Sequence, residues 1–205
     1  IERTVAELGR CHEKLGLTGF TMTDSPEVWK LPSLHHPHWD PLWSMAQDLR
    51  LPVNFHIGSG KISDPCWEGY ELPRQLAVMS VGAIMANLTC LTNLIFSGLL
   101  DRFPKLNFVS VESGIGWIPF FLEACEYQME QNMGADRCGL KLRPREYFER
   151  QLADGVRGTR GARIERAHRH LDVVQQSLGD LAAVEVLARH LADGDVHRVV
   201  VVRGG

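Results

Sequence analysis

The sequence predicts an α/β fold in which parallel strands alternate with helices. Three observations lead there. Residues 51–60, Leu-Pro-Val-Asn-Phe-His-Ile-Gly-Ser-Gly, read as a covered strand over 53–57 that carries His56 near its end and opens into a glycine-rich loop. Residues 106–112 repeat the design, Leu-Asn-Phe-Val-Ser-Val ending at Glu112, before Ser113-Gly-Ile-Gly116. Asp40-Pro41 marks a helix start shortly before the first of these strands, as N-cap and first helical residue. Ligands gather at the carboxyl ends of strands in barrels and open α/β sheets. His56 and Glu112 therefore stand where a metal ligand or a general base belongs. The plainer readings are a satisfied core histidine and a carboxylate that complements a helix N-terminus.

Taken in order, residues 1–16 read as the end of a helix, with Val5, Leu8 and Leu15 apolar and Gly16 as its stop. A chain that opens on Ile1 inside such a pattern reads as an internal piece of something longer. Residues 19–24 are strand-like and end in Asp24-Ser-Pro, a turn signal. His35, His36 and His38 crowd the loop that follows. Without a matching Cys or carboxylate cluster, they read as a loop at the mouth of the sheet rather than a metal site. Leu42, Met45, Ala46 and Leu49 form the stripe of the next helix, which Pro52 closes. Residues 58–71, with Gly58, Gly60, Asp64, Pro65 and Trp67, make a loop long enough to fold over a site. No charge occurs from Gln75 to Leu100, a length that could span a bilayer. Ser80, Asn87, Thr89, Thr92, Asn93 and Ser97 interrupt it, so the expectation is two helices, broken near 87–89 and packed on a sheet. A turn at 101–105 precedes the strand bearing Glu112. A helix over 117–132 follows, with Ile118, Phe121, Leu122, Cys125 and Met129 at helical spacing and Gly134 beyond its end.

Composition narrows the classes. With 205 residues the chain can bury one sizeable core. A net charge of -3 gives no sign of nucleic acid or an anionic membrane as partner. The five cysteines are scattered without a C-x-x-C pair, which fits a reducing, cytoplasmic setting. A small-molecule substrate is the expected partner.

Residues 152–205 differ in character: they contain no Phe, Tyr, Trp, Met, Lys, Pro, Asn or Cys. This atypical tail reads as out-of-frame or otherwise foreign sequence. His168 and His170 mimic a paired metal motif, but i and i+2 side chains do not share a helix face. A strand is expected at 199–202. Interspersed Asp and Glu and the lack of aromatics argue against nucleic-acid binding by the tail's arginines.

Four motifs resemble the amidohydrolase-related metal-dependent hydrolases, in the branch that includes the aminocarboxymuconate-semialdehyde and resorcylate decarboxylases. They are His38-Trp-Asp-Pro-Leu-Trp43, Leu51-Pro-Val-Asn-Phe-His-Ile-Gly58, Leu100-Asp-Arg-Phe-Pro-Lys-Leu106 and Phe108-Val-Ser-Val-Glu-Ser-Gly-Ile-Gly-Trp-Ile-Pro119. The resemblance covers 1–151 and implies the central part of a (β/α)8 TIM barrel, incomplete at both ends. It implies a metal-ligand role for His56 at the fifth strand and a catalytic role for Glu112 at the sixth. It also implies a divalent cofactor, zinc ahead of manganese. At the position of Glu112 the decarboxylases carry a histidine followed by glycines, so hydrolysis of a small carboxylic or cyclic substrate comes first and decarboxylation second. The first-strand ligand pair would precede Ile1, and the late aspartate motif does not appear after Gln151. A third expectation is therefore a non-catalytic fragment, whose exposed strand edges favour homo-oligomers or aggregation.

Overall fold

The computed structural model describes residues 1–60, 66–114 and 116–152. Asp64, Pro65, and the tail from 153 onward with His168, His170 and the 199–202 strand lie outside the described residues. Three strands, β1 (Phe20–Thr21), β2 (Val53–His56) and β3 (Phe108–Val111), form a parallel sheet in the order β1-β2-β3. Val53 pairs with Phe108 and His56 with Val111. α1 (Glu2–Leu15) precedes β1, α2 (Asp40–Asp48) joins β1 to β2, and α3 (Leu72–Phe96) with the single turn α4 (Leu99–Arg102) joins β2 to β3. After β3 come α5 (Ile118–Asn132), the short α6 (Pro144–Tyr147) and a π-type turn over Phe148–Leu152.

The core lies on one face of the sheet. Val53, Phe55 and Phe108 are fully buried there, with Phe55 and Phe108 stacked at 5.6 Å and Trp43 edge-on to Phe108 at 5.7 Å. Each such side chain contributes about 1.5–3 kcal/mol by leaving water. On the other face Asn54 and His56 are only half-buried. The expectation of a strand covered on both sides thus holds for one side. Val53, Phe55 and Phe108 lie against the helices, while among the described residues the face carrying His56 is only partly covered.

Two further expectations are corrected. Asp40 is the first helical residue of α2 rather than its cap, and its Oδ2 instead accepts from Arg102 Nη1 at 3.2 Å. Residues 72–96 form one helix without a break at 87–89. Its polar residues are absorbed rather than disruptive: the Thr89 and Thr92 hydroxyls donate to the carbonyls of Met85 and Leu88, and Asn87 reaches the sheet. At 1.5 Å per residue, α3 is about 37 Å long, against about 13 Å for a four-residue strand. Its last turns bury Cys90, Leu91, Leu94 and Ile95, while Leu72, Leu76, Val78, Val81 and Met85 project into solvent. α3 is also long and apolar enough to cross a membrane by length and composition.

Candidate active site

His56 is the last residue of β2 and Glu112 the first residue after β3. Side chains alternate along a strand, and partners in a parallel register share a face. His56 therefore shares the open face with Val111, whereas Ser110, the partner of Phe55, faces the helices. Strict alternation would send Glu112 toward the helices too. It does not go there, because Glu112 adopts a left-handed backbone, φ 62°. That conformation is uncommon for a side chain with a Cβ. Glu112 Oε2 lies 3.2 Å from His56 Nε2, with about two fifths of each side chain open to solvent.

The other imidazole nitrogen, Nδ1, lies 2.8 Å from the carbonyl of Ile57. A carbonyl only accepts, so Nδ1 carries a hydrogen and Nε2 is the atom offered to the site. A bare Nε2 facing a carboxylate oxygen is repulsive unless one positive charge lies between them, either a proton or a metal cation. Metal-binding histidines are oriented in the same manner, the second nitrogen donating to a backbone carbonyl. His56 and Glu112 thus fit as two donors of a cation site. Among the described residues no group of three or more His, Cys, Asp or Glu is placed to hold a metal ion. The described donor set is one short of the three protein ligands of a catalytic zinc.

The His35, His36 and His38 loop does not join the pair. His35 Nδ1 bonds the Ser33 hydroxyl, His36 Nδ1 accepts from the backbone of His38, and His38 packs edge-on against Trp39. Nearer the site lies a residue that the sequence suggested only as part of a turn. Asp24 is 6% exposed, its Oδ1 accepts from the Ser25 hydroxyl, and its Oδ2 has no partner among the described residues. Burial pushes its carboxyl above the ordinary range, against the Ser25 hydrogen bond. Asp24 lies under the loop that leaves His56: a Cβ on Gly60 would fall 1.5 Å from Asp24 Oδ1. The Ser59 hydroxyl, donating to Met22 O at 3.3 Å, ties the same loop to the residue that follows β1. An aspartate in front of Ser-Pro gives no sequence sign of burial, which is why it was not singled out.

An imidazole and a carboxylate in contact at the carboxyl ends of adjacent parallel strands stand where α/β enzymes place their sites. The chain belongs to the amidohydrolase family, whose family model matches residues 1–139. Among solved structures it is similar to amidohydrolase map2389c from Mycobacterium avium subsp. paratuberculosis, at 19% identity and TM-score 0.56 over 72% of this chain and 37% of that one. It is similar to 5-carboxyvanillate decarboxylase LigW from Sphingomonas paucimobilis at 24% identity and TM-score 0.51, covering 72% and 42% of the two chains. A third is 2,6-dihydroxybenzoate decarboxylase from Rhizobium, at 20% identity and TM-score 0.51, covering 72% and 46%. The chain spans less than half the length of each. At these identities the likeness concerns the fold, which is of the TIM-barrel type. No curated protein matches the sequence.

Proposed function

We propose that residues 1–151 are the central part of a partial (β/α)8 barrel, with β1, β2 and β3 consecutive strands. Its parent is a metal-dependent hydrolase of a small carboxylic or cyclic substrate. One observation carries this reading: His56 Nε2, freed by the bond from Nδ1 to Ile57 O, meets Glu112 Oε2 at 3.2 Å on a solvent-open face. His56 acts as a metal ligand. Glu112 serves as general base or holds a substrate or ligand in place. Nitrogen and oxygen donors of this kind suit zinc and, second, manganese. When bound, the divalent ion polarises a substrate carbonyl or carboxylate and lowers the pKa of water. Donors beyond His56 complete the metal site. The loop that leaves His56, tied by the Ser59 hydroxyl to Met22 O, would help to exclude water.

Two of the similar structures are decarboxylases, which keeps decarboxylation as the second reading. Glu112, standing where the resemblance expects a histidine, favours hydrolysis. Metal content and activity separate these from a non-catalytic, self-associating fragment. The full-length parent is expected to hold stoichiometric, chelator-sensitive zinc or manganese that His56→Ala abolishes, and to hydrolyse small carboxylic or cyclic substrates. Release of CO2 from aromatic carboxylates without hydrolysis would select the decarboxylase. A chain that binds neither metal would exclude both enzymatic readings for it.

A further inference from the structure

The left-handed turn that brings Glu112 to His56 is held from behind. Asn87, 1% exposed on the inner face of α3, uses both of its Nδ2 hydrogens on the sheet. One goes to Phe55 O at 3.1 Å, the carbonyl just before His56. The other goes to the Ser110 hydroxyl at 2.9 Å. Phe55 and Ser110 are register partners, so a single amide clasps β2 to β3 one residue before His56 and two before Glu112. Ser110 Oγ, accepting from Asn87, also shares a hydrogen with Ser113 Oγ, 2.6 Å away, and either hydroxyl can be the donor. Ser113 is 3% exposed, and its backbone carbonyl accepts from the Trp117 indole at 2.8 Å. The Ser110–Ser113 bond brackets Val111 and Glu112. It closes the chain on the helix side, which leaves Glu112 to project on the other.

We propose that Asn87 is a positioning residue: through Ser110 and Ser113 it holds the left-handed turn at Glu112 that directs the carboxylate to His56. This rests on the reading of His56 and Glu112 as the functional pair, although its test does not use catalysis. Imidazole ¹⁵N shifts of His56 in the full chain without metal, at one fixed pH, report whether Glu112 faces Nε2, and Glu112→Gln calibrates the loss. Ser110→Ala, Ser113→Ala and Asn87→Leu are each expected to move the Nε2 resonance in the same direction as Glu112→Gln and by most of its size. Ser110→Thr, which keeps the hydroxyl, retains the wild-type shift. Tyr147→Phe, which loosens the protein far from the pair, also retains it while lowering the melting temperature. Should Asn87→Leu not fold, the two serine variants carry the test. If these variants melt earlier but keep the wild-type His56 shift, Asn87 is only structural and the proposal is overturned. It is equally overturned if Glu112→Gln itself leaves the shift unchanged. A relay that behaves as expected in a chain without metal or activity would sink the enzymatic reading and leave the positioning role standing.

Discussion

Single residues show where physical chemistry departs from pattern. Glu112 breaks the two-residue alternation of β3, and a left-handed non-glycine residue costs about 1–2 kcal/mol. No periodicity announces this. His56 and Glu112 were legible as ionisable groups at strand ends, but their meeting on one face was not, because it depends on one backbone dihedral. Asp24 was missed for another reason: burial is a tertiary property. Its raised pKa has a definite sign. Native Asp24 holds its proton more tightly than the unfolded chain does, so stability falls as pH rises from the ordinary 3.8 through the raised native value. Above that, a buried carboxylate without a full set of partners carries a constant penalty. Asp24→Asn is expected to flatten this acid-side slope and to raise the melting temperature at neutral pH, as read by thermal denaturation from pH 3 to 8. A slope unchanged in the variant would assign the effect to another group.

At the scale of elements, the helices and strands were largely readable, since apolar periodicity and glycine stops decide them. Gly16 closes α1 in the left-handed conformation, and Phe121, Leu122, Cys125 and Met129 are the buried stripe of α5. The break expected within α3 failed because the Asn87 amide nitrogen is taken up by the sheet and the threonine hydroxyls by carbonyls of their own helix, so none of them diverts the helical backbone. The segment after α5 gave little periodic signal, yet it is firmly docked. The Tyr147 hydroxyl donates to Asp101 Oδ2 and accepts from the backbone of Lys141 and Leu142, and Gln151 donates to Phe103 O and Leu106 O. Burial, with the hydrogen bond to Asp101, pushes the phenol to about 12, so it remains a donor through the neutral range. Tyr147→Phe leaves the Leu142 N–H without its acceptor and removes one of the donors to Asp101, while Lys141 N–H keeps Asp101 Oδ2, in a site the ring keeps closed. The expected loss is about 1–3 kcal/mol in denaturant unfolding, with the slope of the transition unchanged.

For the whole molecule, the class was readable from its helix–strand order, while the one-sided covering of the sheet was not. That asymmetry leaves the face of Asn54 and His56 open, and the first turns of α3 add Leu72, Leu76, Val78, Val81 and Met85 to the exposed apolar surface. Surfaces of this kind promote association. Leu76→Lys with Val81→Lys is expected to shift the chain toward monomer in sedimentation velocity at unchanged helicity; an unaltered distribution would place the sticky surface elsewhere. The parallel pairing of β2 with β3 has a kinetic corollary. All of α3 and α4 lies between those strands, so closing that crossover is entropically costly, and sheets built on such distant pairings assemble slowly. Contact between residues 56 and 112 therefore belongs to the late stage of refolding. Helical circular dichroism should recover before any signal from that contact returns, and the imidazole resonance becomes a timer for the last strand to arrive.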